Sequence, residues 1–188
     1  MTNSIARIAY PLFAENFIPQ SIKARNLSFD VCAPSHAVAL VELWHSRLPV
    51  CQSAPWQFAF HAYCNDITYA VALWNNPSAR TLPSHWLELR RLAASQDSPQ
   101  NTCSRFIGWM VRYFRKNHRG REHCISYQDP DAHDGTIYKA SNWTMEYQAN
   151  PRIRDRSKNR VGTTRKYRTN ANGTEVDSVG KIRWGIDL

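Results

Sequence analysis

No apolar run in this chain approaches the roughly 20 residues that a membrane-spanning helix needs, so no membrane partner is expected. The five cysteines are an odd number and none form a C-x-x-C pair, which argues against a disulfide framework or a thioredoxin-like site. No secretory leader is visible, and the expectation is reduced thiols in a cytoplasm. There is no G-x-S-x-G nucleophile elbow, which speaks against a serine hydrolase of that type. His118, His123 and Cys124 do not follow a known zinc-ligand spacing, so no metal site is expected. No internal repeat is apparent.

The chain does have aromatic and apolar content. Seven Trp, eight Tyr, seven Phe and 43% hydrophobic residues in 188 fit one folded domain with a substantial core. Positive charge is present in excess and distributed unevenly. Residues 1–149 hold 14 Lys and Arg against 11 Asp and Glu; residues 150–188 hold 10 against 4. Two thirds of the formal +9 therefore lies in the last fifth of the sequence. Such asymmetry points to a polyanion, nucleic acid first among them, with a solvated basic tail as the alternative.

Hydrophobic periodicity orders the elements. Leu27–Cys32 reads as a strand and Ala37–Arg47 as a helix, with Ser35 as N-cap and Pro49 beyond its end. Trp56–Tyr63 and Ile67–Trp74 flank the turn Asn65-Asp66 and form a hairpin. A loop over 75–83 leads to the strand Trp86–Leu92. The helix Cys103–Asn117 buries Phe106, Ile107, Met110, Val111 and Phe114, and presents Arg105, Arg112, Arg115 and Lys116 on its other side. A strand from Cys124 and a short helix before Trp143 follow. Residues 150–180 read as an extended, partly ordered arm. The order β-α-β-α predicts a central sheet with helices packed on it.

Four places could carry chemistry, each with a plainer alternative. The turn Asp97–Ser104 opens a helix, where Asn101, Thr102, Ser104 and free N–H groups suit an anion. An ordinary cap by Ser98 with Pro99, or by Asn101, explains the same residues. Ser126-Tyr127-Gln128-Asp129-Pro130 ends a strand at the carboxyl edge of the sheet. There Asp129 either orients or deprotonates an amine, or starts an Asp-Pro turn. Tyr138 is a candidate general acid or a tyrosine at the core edge. His45 falls at a helix end, where the dipole should raise its pKa slightly; a surface histidine is the alternative.

Read together, these segments resemble the phage Mom family of DNA-modifying proteins, which has a GNAT-type acyltransferase fold. The matching stretches are His45–Pro49, Glu88–Leu92, Pro99–Phe106, Ile125–Pro130 and Gly135–Trp143, spanning roughly residues 30 to 145. The resemblance implies an α/β fold with a mixed central sheet flanked by helices: a catalytic domain over 1–149 and a basic C-terminal extension over 150–188 that contacts DNA. It implies transfer of a methylcarbamoyl (carbamoylmethyl) group to the exocyclic amine of adenine in double-stranded DNA, in the host cell cytoplasm. The modified DNA then resists restriction. The implied cofactor is an acyl donor; a coenzyme A thioester is the candidate and its identity stays open. Its pyrophosphate would lie against Gln100–Arg105. Residues 95–104 contain no glycine, unlike the common form of this turn, which restricts backbone approach.

Roles follow from that resemblance. Asp129 and His45 would position or deprotonate the amine, and Tyr138 would protonate the leaving group. Ser104, Asn101 and Thr102 would hold the donor, with Gln100 and Arg105 beside them and Ser126 orienting it. Arg112, Arg115 and Lys116 would hold DNA phosphates, as would Arg152, Arg154, Arg156, Lys158, Arg160, Arg165, Lys166 and Arg168. A flipped adenine could stack on Trp44, Tyr127 or Trp143. A GNAT-type N-acyltransferase acting on a small amine or protein, and a non-catalytic DNA-binding module, remain alternatives.

Overall fold

Among the described residues, seven strands share one sheet in the order β1-β2-β3-β4-β5-β7-β6. The computed structural model describes residues 22–45, 56–130, 132–149 and 180–188. After a 3-10 turn at Ala24–Asn26 come β1 (Ser28–Val31), α1 (Pro34–Trp44), β2 (Phe58–Cys64), β3 (Ile67–Asn75) and β4 (Leu87–Ala94). Then follow α2 (Thr102–Asn117), β5 (His123–Gln128), α3 (Thr136–Lys139), β6 (Thr144–Gln148) and β7 (Ile182–Asp187).

The hairpin forms where expected. Cys64 pairs with Ile67, and both turn residues are left-handed, Asn65 at φ 49° and Asp66 at φ 64°. That is the twist a two-residue hairpin prefers, and Asn and Asp tolerate it best after glycine.

Strand alternation sorts the core onto the two sides of the sheet. Val71 and Leu73 of β3, with Ala59 and Ala93, pack against Ala37 and Val41 of α1. Ala70, Ala72 and Trp74 join Phe60, Leu87 and Leu89 against Phe106, Ile107, Met110 and Phe114 of α2. Each of these large α2 side chains contributes roughly 1.5–3 kcal/mol relative to exposure. The Trp74 indole N–H reaches the Met110 sulfur at 3.0 Å, so even the polar atom of this buried ring is engaged.

Two expected boundaries move. α1 begins at Pro34 with Ala33 as N-cap, not at Ser35, because proline at the first turn has no N–H to leave unsatisfied. The second change concerns the expected arm over 150–188. Residues 182–187 are not an extension but a strand between β5 and β6, with Ile125 opposite Gly185 and Met145 opposite Trp184. Ile182, Trp184 and Ile186 alternate with Arg183 and Gly185, the pattern of a strand with one apolar face. Residues 150–179, with Arg152, Arg154, Arg156, Lys158, Arg160, Arg165, Lys166 and Arg168, lie outside the described residues. No helix among the described residues is long and apolar enough to cross a membrane.

Candidate active site

β4 and β5 are the only parallel neighbours described, and α2 makes the crossover between them. They pair at Leu87–Cys124, Glu88–Ile125 and Leu89–Ser126 and then part. β4 continues to Ala94 and β5 to Gln128 without pairing with each other, which opens a fork at their carboxyl ends. An extra residue in β4 falls at the same place. Leu73 faces Arg91 while Trp74 faces Leu89, leaving Arg90 bulged.

Ser126 stands at the apex of the fork. Its hydroxyl donates to the Leu89 carbonyl at 3.1 Å, so it accepts from the Tyr138 hydroxyl at 2.9 Å. Tyr138 is 4% exposed and stacks on Trp184, with ring centroids 5.5 Å apart. Burial raises its pKa, the Ser126 hydrogen bond partly offsets this, and Cys103 adds to the rise. The phenol therefore keeps its proton at neutral pH and donates it to Ser126.

α3 is placed by a loop that only a glycine can close. Gly135 has φ 72°, and a Cβ there would come within 2.5 Å of Gln128 Oε1 and 2.8 Å of Trp184. Buried Gln128 donates to the His133 carbonyl at 2.5 Å and accepts from the Trp184 indole at 2.7 Å. Asp129 lies at the start of this loop, and its carbonyl accepts from the His133 N–H. The His133 ring is 6.0 Å from that of Tyr138; burial lowers its pKa, while Asp129 and Asp134 raise it.

The turn before α2 does without glycine by putting Asn101 in the left-handed region at φ 67°. Asn101 is the N-cap residue, yet its side chain makes no cap bond; Thr102 Oγ1 instead donates to the Pro99 carbonyl at 2.6 Å. Thr102 N–H turns back to the Pro99 carbonyl, and the next α2 N–H with a backbone partner is that of Arg105, on the Asn101 carbonyl. The amides of Cys103 and Ser104 have no backbone partner among the described residues. They begin a 16-residue helix, where the dipole favours an anion.

A cavity of about 290 Å³ lies at this helix end, between α2 and α3. Asn101, Thr102, Cys103 and Ser104 line one side, and Thr136, Ile137 and Ala140 the other. Ser141 clamps the two helices by donating to the Ser104 carbonyl at 3.0 Å and the Ile137 carbonyl at 2.6 Å. Burial pushes the Cys103 thiol up to about 11, so it stays protonated and unreactive.

The expected residues thus divide. Asn101, Thr102 and Ser104 line the cavity at the start of α2, Ser126 and Tyr138 bond each other at the fork without lining that cavity, and Asp129 follows the end of β5. Gln100 and Arg105 are exposed and do not line the cavity; Arg105 instead lies over Phe29 at 6.0 Å. His45 caps α1, which packs on the opposite side of the sheet from Tyr138. Its pKa is lowered, not raised, because burial and the nearby Arg91 charge outweigh its backbone hydrogen bond. Trp143 is buried between Trp74 and Tyr138 and offers no free face for stacking. Arg112, Arg115 and Lys116 are exposed on α2, and Arg115 also donates to the Asp187 carbonyl at 2.7 Å. Among the described residues no group of three His, Cys, Asp or Glu is placed to hold a metal ion. Sequence reasoning gave no separate role to Gln128, Trp184 or Cys103, although Trp184 stacks on Tyr138, Gln128 holds Trp184, and Cys103 adds to the rise in the Tyr138 pKa.

A family model described as the Mom protein family matches residues 27–182. The chain belongs to the Mom protein family. Solved structures place this family member on the GNAT fold. A Bacillus subtilis acetyltransferase in complex with CoA superposes with TM-score 0.57 at 12% identity, covering 86% of this chain and 99% of that one. A GNAT-family acetyltransferase from Streptococcus pneumoniae gives TM-score 0.55 at 9% identity, with coverage of 86% and 99%. The ribosomal-protein-S18-alanine N-acetyltransferase of Escherichia coli gives 0.52 at 11%, with coverage of 86% and 94%. No match was found among curated proteins.

Proposed function

We propose that this Mom family member is a transferase that places a methylcarbamoyl (carbamoylmethyl) group on the exocyclic amine of adenine in DNA. The observation that carries the reading is the Ser126–Tyr138 pair at the apex of the β4–β5 fork, beside a helix start with two unpartnered amides. The CoA complex of the Bacillus subtilis acetyltransferase supports an acyl-CoA donor. The residues present fit its phosphates: Cys103 and Ser104 line the cavity and their amides have no backbone partner, while the Thr102 and Ser104 hydroxyls donate to the Pro99 and Asn101 carbonyls and brace the turn. A thioester donor would supply an activated acyl carbon and a thiol leaving group, giving an N–C(=O) bond to the amine; a carbamoylmethyl group, joined through CH2, would need a donor with its leaving group on that carbon instead.

The chain's own groups then act from two directions. Ser126 holds the Tyr138 hydroxyl in place, and the phenol O–H turns from the Ser126 oxygen to protonate the departing group as the new N–C bond forms. Asp129, beside His133 at the mouth of the fork, takes the proton that the amine loses. The adenine amine is a weak nucleophile, so orientation against the donor supplies much of the rate. Exposed Arg112, Arg115 and Lys116 hold backbone phosphates and set affinity without reading sequence.

Nucleoside mass spectrometry of DNA from cells expressing the chain tests this. A modified adenine absent from the empty control is expected, and Asp129→Ala should abolish it with the fold intact by circular dichroism. Unmodified DNA together with transfer to a small amine or a protein would move the chain to a different acceptor. Full modification by Asp129→Ala would remove that residue from the mechanism.

A further inference from the structure

The two walls of the cavity belong to different helices and are held in different ways. One wall is the first turn of α2, through Asn101, Thr102, Cys103 and Ser104; the other is α3, through Thr136, Ile137 and Ala140. α2 has 16 residues and buries Phe106, Ile107, Met110, Val111 and Phe114, so the core fixes its wall. α3 has only 4 residues. A helix of one turn does not hold itself together, because nucleation is costly and few further bonds repay it. Where α3 stands is therefore decided by its anchors.

The anchors point in different directions. At the start of α3, Gly135 lies against Gln128 and Trp184, and its N–H donates to His133 Nδ1 at 3.1 Å. On the inner side, the Tyr138 hydroxyl is bonded to Ser126 and its ring stacks on Trp184. Both anchors tie α3 to β5 and β7. Ile137 also packs against the core, but apolar contact is non-directional and permits sliding. The tie to α2 is Ser141, and among the described residues no other hydrogen bond joins the two walls.

Ser141 reaches one residue of each wall without lining the cavity itself. Ser104 carries one of the two amides that lack a backbone partner, and Ile137 stands across from it. The hydroxyl has one proton for two carbonyls, so the bond is shared between them. Its shorter arm, 2.6 Å, goes to Ile137, the carbonyl four residues back in its own chain. That back-bond fixes Oγ to the α3 turn and carries the hold on Ser104 into α3.

We propose that Ser141 is a positioning residue for the donor: by bridging Ser104 and Ile137 it sets the separation of the two walls, and with it the fit of donor phosphates against the Cys103 and Ser104 amides. This role rests on the reading of the cavity as the donor site. Loss of the bridge frees α3 from α2 alone, since Tyr138 keeps Ser126 and Trp184. The effect therefore falls on donor affinity and leaves the shielded hydroxyl in place.

Titration calorimetry of the full chain with coenzyme A tests the bridge. Ser141→Ala should raise the dissociation constant roughly 2- to 12-fold, the weight of one hydrogen bond, with the stoichiometry unchanged. Ser141→Thr keeps a hydroxyl that can make the same back-bond and should bind as the parent does. A residue that served stability alone would give the opposite split, fewer competent molecules at unchanged affinity. If Ser141→Ala does not fold, Ser141→Cys, with a much weaker donor, takes its place and should weaken binding in the same way. Parent-like affinity without the hydroxyl, equal loss in Ser141→Ala and Ser141→Thr, or a fall in stoichiometry alone overturns the bridge, while coenzyme A binding by the parent keeps the donor reading. A parent chain that binds no coenzyme A overturns the bridge and the acyl-CoA donor together; modified adenine in cells would then still support a transferase with another donor.

Discussion

Ser126 and Tyr138 make an unequal pair, and the inequality can be measured. Tyr138→Phe removes the hydroxyl that donates to Ser126 but leaves Ser126 its bond to the Leu89 carbonyl. Such a loss costs about 0.5–1.5 kcal/mol. Ser126→Ala does more harm, because it strands a phenolic hydroxyl on a residue only 4% exposed. An unsatisfied buried group costs about 1–3 kcal/mol, and in a chain of this length each kcal/mol lowers the melting temperature by about 2–4 °C. The double variant replaces both partners by apolar atoms and should recover part of the stability that Ser126→Ala loses. Activity should rank the other way. Tyr138→Phe deletes the proton donor and should slow modification by about 10²- to 10⁴-fold. Ser126→Ala keeps the phenol, removes the bond that offsets its raised pKa, and should slow the reaction less. Urea denaturation gives the stabilities, and a time course of modified adenine after induction gives the rates. A Ser126→Ala protein more stable than Tyr138→Phe, or a faster Tyr138→Phe than Ser126→Ala, would refute the assignment of the shielded hydroxyl as acid.

Two further outcomes follow from other parts of the molecule. His45, His61, His118 and His133 all have pKa values lowered chiefly by burial. Below about pH 6.5 the unfolded chain takes up protons at these positions before the folded chain does, so stability should fall as pH drops from 7.5 to 5.5. The urea midpoint checks this; His61→Gln should reduce the fall, and a midpoint that rises toward pH 5.5 would contradict it. At Asn101, with φ 67°, Asn101→Ala should cost about 1–2 kcal/mol in the same assay, while Asn101→Gly should be close to neutral. Equal losses in both would mean that the amide side chain, not the backbone, holds the turn.

Much of the fold could be read from local pattern. The apolar stripe of α2 is a strong helical period, and Asn65-Asp66 between two alternating runs is a strong hairpin signal. The site's geometry was less accessible, since it depends on register between distant segments. Nothing in the string links Ser126 to Tyr138 until Leu89 pairs with Ser126 and α3 is folded back over β5. His45 was misjudged because an end-of-helix argument sees only the dipole, while Arg91 arrives from β4. β6 left little trace, since Thr144–Gln148 is exposed along its whole length and has no apolar period. β7 left a clear one in Ile182, Trp184 and Ile186, obscured by the charge of the segment before it.

The position of β7 also orders the birth of the molecule. Among the described residues β6 has no neighbour in the sheet except β7, and β7 comes off the ribosome after the whole of 149–181. Until then a nascent chain holds β6 unsheltered, with Met145 and Tyr147 on view, and lacks the Trp184 ring that backs Tyr138. The outer strand's partner and the ring that backs Tyr138 therefore arrive together, when β7 is made.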